Sequence, residues 1–360
     1  MNIRALIRNV SAKVCMASVC LLAMSSCDSW LYEEEGDCSV TCRLKFRYDR
    51  NMKWADAFPS EVTSVHLYAF NKDGILAWSN SESGSALQSD DYAMTADLPA
   101  GDYHLLAWCG LDNPASATRH FTVPEATVGT TTLEEMKCRM ERGHDAAGAY
   151  SDCRLTPLFH GVQDINIPDT DDGGTFTYTV PLTKDTNHVR IILQHLNGEP
   201  VDAGAFNFII EEDNGLMAHD NALLPDELIT YRPYHTGSGT ASLDIDDYPQ
   251  PGDTPVGTKA TIESVSVAIA DLSIARLMKE RKTYLTIHTA DEDKRLVARI
   301  PLTDYALLLK DGYGRKMTDQ EYLDREDEYN LTFFLDEDNQ WVSSSIIINS
   351  WRLVINNTDL

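Results

Sequence analysis

The chain has 360 residues, of which 30 are basic and 56 acidic, for a formal charge of -26. Such a surface repels nucleic acid and anionic lipid, so neither a nucleic-acid-binding role nor a polybasic membrane patch fits it. It is still 43% hydrophobic with 15 tyrosines, which excludes a wholly disordered acidic tail and leaves enough apolar surface for packed cores.

The N-terminus carries Arg4, Arg8 and Lys13, followed by a mostly apolar run from Val14 to Ala23. That run of about ten residues matches a signal-peptide h-region and is too short for a bilayer, which needs about 20. Ser25 and Ser26 then precede Cys27, the small-small-cysteine pattern read by lipoprotein processing. Residues 1–26 are therefore expected to be removed, and Cys27 to carry acyl chains that hold the protein at a membrane; each buried CH₂ adds about 0.8 kcal/mol, and stable anchoring takes more than one chain. Cys20 is a poorer cleavage point because bulky Val19 precedes it. Residues 27–37, with Glu33, Glu34 and Glu35, read as an acidic tether.

From Cys38 onward the chain reads as β. Val62 to Phe70 alternates, with Val65, Leu67 and Ala69 on one face and Tyr68 and Phe70 on the other. Asn71 to Gly74 is turn chemistry, and Ile75 to Trp78 reads as the returning strand of a hairpin. A second tight turn over Asp97 to Tyr103 launches a strand over His104 to Trp108. Thr132 to Glu135 has the form of a helix capping box, which would place Leu133, Met136 and Met140 on one helical face. Thr175 to Val180 alternates as a strand after the polar loop Asp169 to Gly174.

The best domain boundary lies near Pro181 to Asp185, giving an N-terminal unit over 38–183 and a C-terminal unit over 184–360. Strands are expected over His188 to Leu193, Ala205 to Ile210, Thr261 to Ile269, Thr283 to His288, Tyr329 to Leu335 and Ser345 to Trp351. Residues 232–257, rich in Gly, Pro, Ser and Asp, read as long loops. Many short strands separated by turn signals describe an all-β protein of two tandem antiparallel β-sandwich domains.

The sequence contains no H-E-x-x-H, G-x-S-x-G or Walker A motif, and no pattern that calls for a cofactor. His144-Asp145 and His219-Asp220 read as loop polarity. Asp169 to Gly174 fails the EF-hand pattern, because Gly173 and Val180 stand at ligand positions; Asp336 to Asn339 reads as a turn. Past Cys27 the thiols are Cys38, Cys42, Cys109, Cys138 and Cys153. In an exported protein this odd set predicts one or two disulfides and a spare thiol, whereas the scattered spacing argues against zinc. Trp54, Trp78, Trp108, Trp341 and Trp351 are candidate sugar platforms or core residues.

Several stretches resemble the FimB/Mfa2 family of fimbrial anchor subunits. They include Leu44 to Tyr48 with Asn51 to Phe58, Val65 to Phe70 with Asp73 and Gly74, Leu98 to Trp108, and Leu158 to Gly161. In the second half they are Leu272 to Met278, Glu321 to Asn330, Phe333 to Leu335, Trp341, and the closing Ile346 to Trp351. Their order spans nearly the whole chain after the signal segment. The resemblance implies two tandem transthyretin-like domains, no enzyme activity, an outer-membrane site held through the Cys27 lipid, and fimbrial pilin subunits as partners. It implies joining by strand complementation, for which Ser345 to Ile355, with Ile346, Ile348, Trp351 and Leu353, is the candidate edge strand. Stalk pilins of such systems are trimmed after a basic residue; here Arg43, Arg47 and Arg50 are the available sites. A second reading, a glycan-binding lipoprotein of a polysaccharide-uptake system, shares the lipid and the sandwiches and requires free aromatics such as Trp54 or Trp78 at a sandwich edge.

Overall fold

The computed structural model describes residues 40–112, 118–170, 173–243, 263–313, 316–349 and 351–354. The first sheet contains β1 (Val40–Arg47), β2 (Ser64–Asn71), β3 (Leu76–Ser83), β4 (Met94–Ala96), β5 (Gly101–Cys109), β10 (Phe159–Ile167) and β11 (Gly174–Lys184). Numbered in chain order, they lie as β3-β2-β5-β10-β11-β1-β4. β11 is long enough to serve two neighbours: its C-terminal end pairs with the start of β10, and the strand pairs along its length with β1. The sheet thereby doubles over on itself. Cys42, Leu44 and Phe46 from β1 and Val180 and Leu182 from β11 share one core with Val65, Leu67, Ala69, Leu105 and Ala107 from β2 and β5.

The second half is built from two six-stranded sheets. One has the order β16-β17-β12-β20-β21-β22, formed by β12 (Thr186–His195), β16 (His235–Leu243), β17 (Glu263–Ala275), β20 (Glu328–Leu335), β21 (Trp341–Ile348) and β22 (Trp351–Val354). The other has the order β19-β18-β13-β15-β9-β8, from β8 (Gly143–Asp145), β9 (Gly148–Ser151), β13 (Phe206–Glu212), β15 (Ile229–Tyr231), β18 (Tyr284–Thr289) and β19 (Leu296–Pro301). Their facing residues, among them Val189, Ile191, Leu193, Phe208, Ile210, Ile287 and Phe333, form a second core. A small third sheet, β14-β7-β6, joins β6 (Phe121–Thr122), β7 (Cys138–Met140) and β14 (Leu216–Met217). Among the described residues α-helix is limited to short pieces: α1 (Phe58–Glu61), α2 (Leu302–Leu307) and α3 (Asp319–Arg325). Among the described residues no helix is long and apolar enough to cross a membrane.

The alternation expected over Val62 to Phe70 has a double outcome. Val65, Leu67 and Ala69 enter the first core, and Tyr68 and Phe70 enter the second. β2 is therefore buried on both faces, so the two cores meet through one sheet. The boundary expected near 183 falls where β11 passes into β12 with only Asp185 between them. Yet β8 and β9, which precede it, pair into a sheet made mostly of later residues, and β7 pairs with β14.

Several local expectations are corrected. Pairing is mixed, not purely antiparallel: β1 with β11, β12 with β20 and β9 with β15 are parallel, as strands distant in sequence can be. The capping box at Thr132 and Glu135 forms, but the helix stops after one 3₁₀ turn over Leu133–Glu135, and Met140 belongs to β7. Residues 235–243, read as loop, form the edge strand β16, because the ladder with β17 supplies the order that their Gly- and Ser-rich composition does not.

Gly110, directly after β5, has φ of +87°, and a Cβ there would lie 1.9 Å from the Pro157 carbonyl oxygen. Neither the backbone region nor the space admits a side chain. Gly110→Ala is expected to destabilise the protein by roughly 3 kcal/mol or more, read as a lower denaturant midpoint with an unchanged slope.

Candidate functional site: the first strand, the closing hairpin and the waist

Cys27, Cys38 and the tether lie outside the described residues. β1 is stitched on both sides, to β11 and to β4. Cys42, Leu44 and Phe46 point into the core, while Arg43, Lys45 and Arg47 take the other face. Arg47 Nε lies 2.9 Å from an Asp49 carboxylate oxygen. Arg50 donates to Thr183 Oγ1 at 3.1 Å. The three arginines thus belong to, or directly follow, a strand held between two neighbours.

The C-terminal candidate strand is resolved into two. β21 lies between β20 and β22, so Ile346 and Ile348 are not edge residues; both are fully buried in the second core. The expectation that they contact a partner strand is corrected: the apolar run that suggested a free edge is apolar because it is interior. The strand at the sheet's edge is β22, where Trp351 pairs with Ile348 and Leu353 with Ile346. The turn between them is pinned by Asn349 (φ 46°). Its side chain donates to the Glu328 carbonyl at 2.9 Å and accepts from Asn330 N–H at 2.7 Å. A left-handed Asn suits a tight hairpin turn.

Between the sandwiches lies a polar waist that sequence reading missed. Asp185 is fully buried. Its N–H donates to the Leu158 carbonyl at 2.8 Å, and its carboxylate accepts from Asn221 Nδ2 at 2.8 Å. Arg276 Nε lies 3.6 Å from that carboxylate and Nη2 donates to Asp324 at 2.8 Å; Nη1 donates to the Asn221 carbonyl. His160 Nε2 contacts the His219 carbonyl oxygen at 2.8 Å, and its ring sits 4.7 Å from that of Trp108. Around the rim, Lys184 pairs with Glu61 and Asp327, and Arg325 lies 3.6 Å over the Trp54 ring while donating to the Asp49 carbonyl at 3.0 Å. Three of the stretches carrying the family resemblance contain His160, Arg276 and Asp324. That placement was the available signal, but only the fold brings them together.

Burial pushes the Asp185 carboxyl up to about 7, with nearby Arg276 opposing the shift, and burial pushes Glu326 up to about 7 as well. Burial pushes His160 down to about 4.

The four described cysteines are free. Cys42 on β1 and Cys109 on β5 are buried in the first core and Cys138 on β7 in the second; burial raises all three thiols. The expectation of disulfides is thereby corrected for these residues, which act as small apolar side chains on separate strands. Cys153 is partly buried, its sulfur 3.7 Å from Ser151 Oγ. Trp108 is fully buried, Trp341 packs edge-on against Phe333, and Trp54 and Trp78 are partly buried. Asp336 to Asn339 forms the expected turn, with Asp336 Oδ1 accepting from Asp338 and Gln340 N–H. His144 contacts Glu227, and Asp145 accepts from Arg232. Among the described residues no His, Cys, Asp and Glu cluster has metal-site geometry.

Two apolar cores joined by a buried polar waist, with strand edges at their margins, define a mostly β protein of several sheets. The chain belongs to the family described as fimbrillin-A associated anchor proteins Mfa1 and Mfa2, whose model matches residues 34–357. Membership implies a cell-surface or envelope-associated protein. The chain is 26% identical over 142 residues to the minor fimbrium anchoring subunit Mfa2 of Porphyromonas gingivalis, an alignment covering 39% of this chain and 41% of that relative's length. A solved Bacteroides thetaiotaomicron structure, named as a candidate polysaccharide-binding protein, is 31% identical with a TM-score of 0.72, covering 89% of this chain and 100% of that one. The solved P. gingivalis Mfa2 anchor shares the fold at a TM-score of 0.61 and 18% identity, over 89% of this chain and 100% of that one.

Two outcomes test the waist. Arg276→Met leaves Asp185 buried beside no guanidinium and Asp324 with Arg50 alone, 3.8 Å away, and is expected to cost about 3–5 kcal/mol by chemical denaturation. The pH dependence has a defined sign. Between pH 7 and about 4 the folded chain holds protons on Asp185 and Glu326 that the unfolded chain has released, so these groups favour folding as pH falls. His160 acts oppositely: its contribution is present above 6.5 and is lost as pH falls towards about 4. His160→Gln should therefore show a steeper gain in thermal midpoint on acidification than the parent; identical slopes would refute the assignment.

Proposed function

We propose that this protein is the lipid-held base of a fimbrium. In this reading residues 1–26 are removed, Cys27 carries acyl chains in the outer membrane, and residues 27–37 are the tether below two transthyretin-like domains, 38–183 and 184–360. β22, bearing Trp351 and Leu353, offers its unpaired side to a strand of a pilin subunit. Family membership across 34–357 is the observation that carries the reading; the position of β22 at the end of its sheet supports the mode of joining. In strand addition, backbone hydrogen bonds supply affinity and alternate side chains supply register. The secure pairing of β1 on both sides favours an anchor that keeps its first strand over a stalk subunit trimmed after Arg43 or Arg47. A role without catalysis accords with this reading.

The name borne by the Bacteroides thetaiotaomicron structure supports a second reading, surface glycan binding. The partial burial of Trp54 and Trp78 weighs against a free aromatic platform for it.

The two are separated by purifying the membrane-extracted protein from its native cells with mass spectrometry of its N-terminus and its companions. The expected outcome is acylated Cys27 with co-purifying pilins. Deleting residues 351–360 should abolish pilin recovery while the cooperative unfolding transition remains. Undiminished recovery would sink β22 as the joining strand, and co-purifying sugar-transport components would move the function to glycan capture.

A further inference from the structure

β3 is the other end of a sheet. It pairs with β2 and, among the described residues, with no strand on its far side. Only its first residue is covered: Leu76 N–H donates to the Thr131 carbonyl at 2.9 Å, and the Leu76 carbonyl accepts from Gly129 N–H at 2.8 Å. From Ala77 to Ser83, among the described residues, the strand has no backbone partner other than β2. Its sequence, LAWSNSES, contains no Pro, Lys or Arg; the blunting features it carries are a bulge between Leu76 and Trp78 and the charge of Glu82, which accepts from the Tyr92 hydroxyl. Ser79, Asn80, Ser81 and Ser83 are exposed. Ser81 N–H is bonded at 2.9 Å to the Asn80 side chain.

The pairing register separates the two faces of this edge. Trp78 and Asn80 stand opposite Ala69 and Leu67, on the side of the first core, whereas Ser79 and Ser81 stand opposite Tyr68 and His66. A cavity lies on each side. On the core side, about 450 Å³ opens between β3 and the start of β1 and β4, walled by Val40, Trp78, Ala96 and Asp97. On the other side, about 330 Å³ is bounded by His66, Ser79, Ser81, Pro124 and Glu125. Neither Asp97 nor Glu125 is paired with a cation among the described residues.

We propose that the β3 edge receives an extended segment of a partner protein, with aliphatic side chains entering the gap between β3 and β4 and basic side chains reaching Glu125. A strand added to β3 has alternate side chains on opposite faces, and a cavity lies on each face. The partner is basic because the acids at the site lack counter-charges and the chain itself carries -26. The same charge disfavours a second copy of this chain as occupant. This surface is distinct from β22, goes beyond the proposed membrane and pilin contacts, and does not depend on them.

The test is hydrogen exchange on the full chain in detergent, with an eight-residue peptide of alternating Val and Lys as the probe and alternating Val and Glu as the control. The Val/Lys peptide is expected to slow exchange over residues 77–83 by about tenfold or more, and the Val/Glu peptide not to. Ser81→Pro, which removes an edge N–H without touching the ladder to β2, should abolish the slowing. Ser79→Lys, which puts a like charge on the docking face, should weaken it should the proline variant fail to fold. Four results would overturn the proposal: no slowing at millimolar peptide, equal slowing by both peptides, slowing confined to β16 or β22, or protection of 77–83 without peptide that grows with protein concentration, which would mean self-pairing.

Discussion

Strand β11 hands directly to β12 through one residue, Asp185, and the burial of that carboxylate sets the terms for the rest of the molecule. A fully buried carboxyl is tolerated where hydrogen bonds or a counter-charge meet it, or where it takes up a proton. Asn221 and Arg276 come from the second half of the chain, and Asp324 adds a second acid to the same guanidinium. The backbone of Asp185 is tied to Leu158, at the head of β10. This buried set orients one sandwich against the other, and a relative rotation of the two would strand at least one charge. Rim contacts such as Arg325 over Trp54 add area around it.

The apolar packing reinforces that join. β2 and β5 present Leu67 and Leu105 to one core and Tyr68, Phe70, Leu106 and Trp108 to the other. A sheet with both faces buried cannot slip by a residue without turning apolar side chains out of both cores. The segment 121–151 crosses over to pair with β14 and β15, so the halves are interleaved and not strung on a linker. Separating the two halves must therefore disrupt strand ladders and a buried ionic network together.

The edges follow a different logic. β21, whose Ile-rich run looks like sticky edge, is interior, and the margin is given to β22 and to polar β3. Sheets terminate where side chains no longer bury, and at those margins unpaired backbone groups remain available to another chain. The same property that makes such edges an aggregation hazard makes them joining surfaces in an assembly protein.

Residue order alone determined the β class, most strand positions, the hairpin at Asn71 to Gly74 and the family, because alternation, turn residues and motif order are local patterns. The expected leader and Cys27 rest on local patterns as well, and lie outside the described residues. Three features were decided only by tertiary structure. Strand partners were one: β16 is a strand because β17 lies beside it, and β21 is interior because β20 and β22 flank it, while Ile346 and Ile348 face the second core. The fate of the cysteines was another, since the spacing of Cys42, Cys109 and Cys138 says nothing about whether two sulfurs meet. The third was the waist, where His160, Asp185, Asn221, Arg276 and Asp324 come from distant parts of the chain. Each reads in sequence as an ordinary polar residue, and only burial, which depends on everything packed around them, turns them into one network.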